Sequence, residues 1–261
     1  MKKRLCAILA VVLAFSMLAV GCGKSSDSGD SSSDSGDGGE KTVTVAMPSA
    51  WSDLFPMGES NYYDRILFDQ VYDTLVKQNA DGSYVGDLAE SWETNEDSTE
   101  IVFKLRDGIK WHDGEDFTAE DVVESMKMYS DPAVNASSRY YLEYIAGCDE
   151  SGAENSEDSL EVTASGENEV TITLKSPTFV DTVLDELSKV FIVAAHKIEG
   201  LSADEINKAD TWSEPMGTGA FVYSDTVDGE RMEFTANKDY FQGEPDIDKL
   251  VVRVVESSNI L

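Results

Sequence analysis

Hydrolysis by side chains needs a nucleophile, a base and a group that orients the base, or else a metal cluster. This chain of 261 residues offers two histidines, His112 and His196, as conventional bases, and three cysteines, Cys6, Cys22 and Cys148. The histidines stand in unrelated segments. His112 belongs to the turn Trp111-His112-Asp113-Gly114, where a hydrogen bond that holds the hairpin explains it without catalysis. No CxxC pair, HExxH helix or glycine-rich phosphate loop occurs. The acidic run from Asp149 to Glu161 lacks the spaced Asp/Asn and central Gly of an EF-hand loop and reads as a solvated loop. The expectation is a protein without catalytic residues, metal or cofactor. Cys148, with no partner for a disulfide, is read as a small packed residue.

The cysteines also bear on where the chain works. Lys2, Lys3 and Arg4 precede an apolar stretch from Leu5 to Val20, just short of the ~20 residues of a spanning helix, so residues 1–21 are predicted to be a signal peptide. The stretch ends in Leu18-Ala19-Val20-Gly21-Cys22. This resembles a lipobox, in which the cysteine becomes the lipidated first residue, except that Ala19 stands where Leu is usual. Cys22 is therefore the candidate lipidation site, with an ordinary secretory signal as the alternative; both imply export to the extracytoplasmic face of the membrane. Residues 22–41 are Gly-, Ser- and Asp-rich without a large apolar residue, and form a flexible tether reaching roughly 25 Å.

Composition bounds the rest. With 41% hydrophobic residues the chain can bury a substantial core, and its net charge of −31 repels nucleic-acid phosphates. Nucleic acid is excluded as a partner. Loss of the three basic residues of the leader would make the mature chain more acidic still.

The elements that must position any site read as mixed α/β. Strands are predicted at Thr42 to Met47, Leu88 to Glu93, Thr99 to Leu105, Leu160 to Ala164, Val170 to Leu174, Ala220 to Ser224, Arg231 to Ala236 and Leu250 to Val255. The last, apolar but for Arg253, is read as a strand buried on both faces. Helices are predicted at Arg65 to Gln78, from Ile66, Leu67, Val71 and Leu75; at Ala119 to Tyr129, capped by Thr118 with Asp121 and stopped at Pro132; and at Phe179 to Leu187. Asp107-Gly108 and Asp113-Gly114 supply turns.

Leu88-Ala89-Glu90-Ser91-Trp92-Glu93, Phe103-Lys104-Leu105-Arg106-Asp107-Gly108-Ile109-Lys110-Trp111-His112-Asp113-Gly114 and Thr118-Ala119-Glu120-Asp121-Val122 together resemble the signature of the family 5 extracellular solute-binding proteins. Pro215-Met216-Gly217-Thr218-Gly219-Ala220-Phe221, Asn237-Lys238-Asp239-Tyr240-Phe241 and Asp248-Lys249-Leu250-Val251-Val252-Arg253-Val254 resemble its later blocks in the same order. The resemblance runs from about Thr42 to Leu261. It implies an α/β, periplasmic-binding-protein-like (type II) lobe: a mixed sheet with helices plus an inserted α+β subdomain, the second lobe being absent. The expected divisions are 42–82 and 186–261 for the core of the lobe, with 83–185 inserted. It further implies a binding lipoprotein that delivers oligo- or dipeptides to the permease subunits of an ABC importer. Receptors for nickel chelates or oligosaccharides on the same scaffold, a non-transporting surface sensor, and a cryptic hydrolase are the alternatives.

Carried over by position, the resemblance proposes Phe55, Met57 and Gly58, in the loop running to Asn61, as ligand-facing residues that offer backbone groups to an extended peptide. It proposes Tyr140 and Tyr141 as aromatic contacts, and Gly217, Thr218 and Gly219 as cleft floor, where missing side chains admit another backbone. The tyrosines could equally be core residues of a short helix, and the glycines could serve the turn alone. Trp92 and Trp111 are expected to anchor the inserted subdomain.

Overall fold

The computed structural model describes residues 40–52, 54–58, 62–155 and 159–255. The leader, Cys22, the tether before Glu40, and Glu59, Ser60 and Asn61 of the candidate loop lie outside the described residues.

Alternating β-branched residues make Thr42–Met47 a strand (β1), which runs parallel to Lys249–Val254 (β10), with Val45 opposite Val252. Arg231–Ala236 (β9) and Phe221–Val227 (β8) extend this sheet antiparallel, in the order β1-β10-β9-β8. Burial alternates along β10: Leu250 and Val252 point into the core, while Val251 is half-buried and Arg253 exposed. The expected two-sided burial does not occur, because the described elements cover one face of this strand. On β1 only Met47 is buried, and Val43 and Val45 are about two-fifths exposed (40% and 39%).

Tyr62–Val71 (α1) buries Leu67, Phe68 and Val71. The predicted helix to Gln78 stops here: Tyr72 N–H closes the last turn on Phe68 O, Thr74 bridges to Phe191, and Val76–Gln78 (β2) pairs with Tyr84–Gly86 (β3). The Val71/Leu75 spacing imitates a helix, but the Thr74 N–H is claimed by the Asp87 carboxylate (3.0 Å) and β-branched Thr74 and Val76 fit the extended path. The strand β3 and the short elements after residue 194 carried no sequence signal strong enough to predict.

A second, antiparallel sheet contains Ala89–Thr94 (β4), Glu100–Leu105 (β5), Val162–Ala164 (β6) and Glu169–Thr173 (β7) in the order β4-β5-β7-β6. Ile101, Phe103, Val162, Val170 and Ile172 form its buried face. Ala119–Ser130 (α2) packs on β6 and β7. Its start is fixed as expected, with Thr118 N–H donating to the Asp121 carboxylate (2.8 Å). The other Asp121 oxygen accepts from Ala195 N–H (2.8 Å), at the start of Ala195–Ile198 (α4), so one cap serves two helices. Tyr129 OH reaches Phe191 O (2.9 Å) and Ser125 Oγ reaches Val193 O (3.1 Å), pinning α2 to the buried run 190–194. Val180–Leu187 (α3) agrees with the sequence reading. The turns Ala203–Ile206 (α5) and Ala209–Trp212 (α6) lead to β8.

Both sheets share one continuous hydrophobic core. Trp111 is almost fully buried against Phe117, and Trp92 is half-buried against Phe103, the anchoring roles expected of them. Among the described residues no helix is long and apolar enough to cross a membrane.

Candidate functional site

The candidate residues collect at the two ends of α1. At its start, Asp64 is fully buried and accepts hydrogen bonds from Ser52 N–H (2.8 Å) and Ser52 Oγ (2.7 Å), which ties the segment after β1 to the helix. Phe55 and Met57 turn inward: Phe55 stacks on Trp212 at 5.0 Å, and Met57 is 1% exposed. Their carbonyls are engaged, Phe55 O by Gly58 N–H (3.0 Å) and Met57 O by Ser138 N–H (3.3 Å). The second bond docks the 3-10 turn Ser137–Leu142 on this loop.

That turn carries Tyr140 and Tyr141, whose ring centroids are 4.4 Å apart. Tyr140 is half-exposed (48%), and Tyr141 packs on the core. Lys189 Nζ sits 5.3 Å from the Tyr141 ring and pairs with Asp185 (2.7 Å). Burial opposes the ammonium, but the Asp185 and Glu186 carboxylates hold its pKa above the usual lysine value. Burial also pushes the Tyr141 hydroxyl up, assisted by Tyr140. Arg65 spans the same corner: it pairs with Asp69 (2.9 Å), donates Nη1 to Lys189 O (3.2 Å), and lies 4.1 Å over the Phe191 ring. Tyr62 is 75% exposed beside Tyr63. The buried Nη1 of Arg139 has no hydrogen-bond partner among the described residues.

Arg65 and Lys189 were not singled out from sequence. They are 124 positions apart, and no local pattern joins them to Tyr141. The lone clue available was their sign, in a chain with 51 acidic and 20 basic residues.

The far end of α1 is closed. Gly217 and Gly219 lie against its last carbonyls, where a Cβ on Gly217 would come within 1.9 Å of Val71 O and one on Gly219 within 2.6 Å of Gln70 O. The backbone admitted by these glycines belongs to α1 itself. Gly219 N–H donates to Val71 O (2.8 Å), and Thr218 Oγ1 donates to Asp73 (2.9 Å). His112 crosses from its turn to the same loop. Its backbone N–H donates to Gly217 O (2.9 Å), its Nδ1 is 3.3 Å from Gly217 N, and its Nε2 is 2.9 Å from Gly219 O. The expectation that His112 holds its own hairpin is therefore corrected: Trp111 N–H to Glu115 O (2.9 Å) does that. Burial lowers the His112 pKa from the usual imidazole value.

Behind Thr218, two carboxylates, Asp73 and Asp87, are 2% and 0% exposed and share the Lys77 ammonium, each at 2.9 Å. Tyr240 OH donates to Asp73 (3.1 Å), and Gln242 Nε2 donates to Asp87 (2.6 Å). Burial, reinforced by Asp73, pushes the Asp87 carboxyl up to about 6 despite Lys77. The cluster joins α1, β2, the Gly217 loop and the turn after β9, a tie with no trace in local sequence.

The two histidines share a neighbourhood after all. His196 Nε2 meets Asp113 at 2.8 Å, with Lys197 also near that carboxylate. Both His112 nitrogens are engaged by backbone, and among the described residues no hydroxyl or thiol hydrogen bonds either ring. Burial raises the Cys148 thiol to about 11, which suits a packed, unreactive residue. No group of three His, Cys, Asp or Glu able to hold a metal occurs among the described residues.

Residues 83–261 match the family model described as bacterial extracellular solute-binding proteins, family 5 Middle. The chain belongs to that family. A Brucella ovis protein named for peptide binding by an ABC transporter is 34% identical over 170 residues, covering 65% of this chain and 29% of that protein. The nickel-binding periplasmic protein of Escherichia coli is 28% identical over 218 residues, covering 82% and 37%. The Bacillus subtilis oligopeptide-binding protein AppA, solved with a nonapeptide, superposes with a TM-score of 0.72 at 19% identity over 83% of this chain and 40% of that one. The chain thus spans less than half of each relative. The family is one of solute-binding proteins rather than enzymes, and the shared architecture is the mixed α/β lobe expected from sequence.

Proposed function

We propose that this chain contributes a ligand-binding lobe to a peptide receptor that serves an ABC importer at the extracytoplasmic face of the membrane, tethered through a lipid on Cys22. The observation that carries the reading is the open end of α1. Exposed Tyr62 and Tyr140, backed by Tyr141, stand beside the cations Lys189 and Arg65 in an otherwise strongly acidic protein. Aromatic faces suit the flat amides and side chains of a peptide, and cations next to them suit its carboxylate. Phe55, Met57, Gly58 and the Gly217–Gly219 loop then act as the frame.

The name of the Brucella relative supports a peptide ligand, and that of the Escherichia relative keeps a nickel chelate as the second reading. NMR titration of the full chain with a mixed tri- to pentapeptide library, beside nickel–histidine, tests the choice. Peptide-dependent shifts at Tyr140, Tyr141 and Lys189, with a millimolar Kd (about −4 kcal/mol) that weakens in Tyr141→Ala, are expected. Shifts confined to nickel–histidine, or none at this end of α1, would refute the peptide reading. Fatty-acid labelling that is equal in the wild type and Cys22→Ala would refute the anchor.

A further inference from the structure

His112 has two ring nitrogens with opposite tasks. Nδ1 faces an N–H, that of Gly217, and can only accept; Nε2 faces a carbonyl, that of Gly219, and can only donate. A single form of the ring satisfies both, the neutral imidazole carrying its proton on Nε2. We infer that His112 is a proton-operated catch for the Gly217–Gly219 loop: neutral, its ring joins both ends of the loop to its own turn, and protonated, it gives up the Gly217 N–H, leaving that end on one bond in place of two.

Adding a proton places an N–H on Nδ1, pointing at the Gly217 N–H. An acceptor is replaced by a donor, so that bond is lost and two donors confront each other in a half-buried site. The Nε2–H bond to Gly219 O survives, as does the backbone bond from His112 N–H to Gly217 O. The loop thereby stays firmly held at Gly219, by α1 through Val71 O and by the Asn237 side chain (3.0 Å), and is loosened at Gly217. Because His112 follows β5 and the loop precedes β8, the catch bridges the second sheet and the first.

Every neighbouring charge has a defined sign. The Asp73 carboxylate, on the α1–β2 link, and Asp113, on the His112 turn, both favour a proton on the ring, while burial disfavours it and prevails. Lys197 of α4, Asp210 of α6, Glu214 of the following segment, and the phenols Tyr72 and Tyr223 line the same cavity of about 410 Å³. His196 reaches the ring only through their shared neighbour Asp113.

The test uses the full chain, with nitrogen-15 NMR of the imidazoles and amide hydrogen exchange at Gly217 between pH 8 and 4.5. At pH 8 the His112 Nε2 resonance is expected to be the protonated one. On acidification, Gly217 exchange corrected for its intrinsic pH dependence rises with the His112 titration. The total rise is about tenfold for each unit by which the closed-state pKa lies below the free imidazole value. His112→Gln keeps a polar group without a titration in this range, and should give a flat corrected profile. A proton on Nδ1 at pH 8 would overturn the inference, as would a His112 titration that leaves Gly217 exchange unchanged. So would a rise that persists in His112→Gln, since Asp73 or Asp113 would then be responsible.

Discussion

The two ends of α1 use the same residue types for opposite purposes. At the start, tyrosines, Arg65 and Lys189 meet on a half-open surface, and the ion pair of Arg65 with Asp69 is largely solvated. At the end, half-exposed Lys77 and Tyr240 close over the buried carboxylates Asp73 and Asp87 in a hydrogen-bonded knot around Thr218. Exposed pairs of this kind are worth little to stability, whereas a buried carboxylate deprived of its partners costs several kcal/mol. The difference teaches that the contacts at one end are partly solvated and cheap to give up, while those at the other are committed to holding position.

The sharpest way to break the committed end is Gly217→Ala. The new methyl collides with the Val71 carbonyl, which cannot retreat without unwinding α1, so a loss of about 3 kcal/mol is expected in urea denaturation. Lys77→Met should cost about 2 kcal/mol at pH 8, a figure reduced because Lys77 is half-exposed. Its pH dependence sharpens the contrast. The folded-state pKa of Asp87, about 6, lies above its unfolded value of 3.8, so ionisation of Asp87 weakens the fold as pH rises through that window. Removing the ammonium enlarges this penalty. The stability gap between Lys77→Met and the wild type should therefore be smaller at pH 5 than at pH 8, and a constant gap would mean that Lys77 does not neutralise the pair. At the open end, Tyr140→Ala should change stability by no more than about 0.5 kcal/mol while weakening any peptide response. A large loss there would make Tyr140 part of the frame.

What was legible in the sequence followed the range of each interaction. Thr118 and Asp121 declare their helix because a cap is written within four residues, and β1 and β9 declare themselves by alternation. The end of α1 was misread because the competing partner of Thr74, Asp87, lies 13 residues downstream. Tyr140 and Tyr141 were marked by family pattern, yet the cations beside them come from two other elements. His112 was visible as a residue and invisible as a clamp, its partners lying 105 and 107 positions away. Gly217 and Gly219 signalled a close approach but not the identity of the approaching chain.

The bare flank of β1 has a colloidal consequence. Among the described residues it ends the first sheet with a row of exposed β-branched residues, a shape that invites strand-to-strand association between copies. Mutual repulsion between molecules carrying −31 each opposes that encounter at neutral pH and low ionic strength. Salt or acid that removes the repulsion leaves the strand unguarded, so solubility of this lobe is governed by its surroundings as much as by its fold.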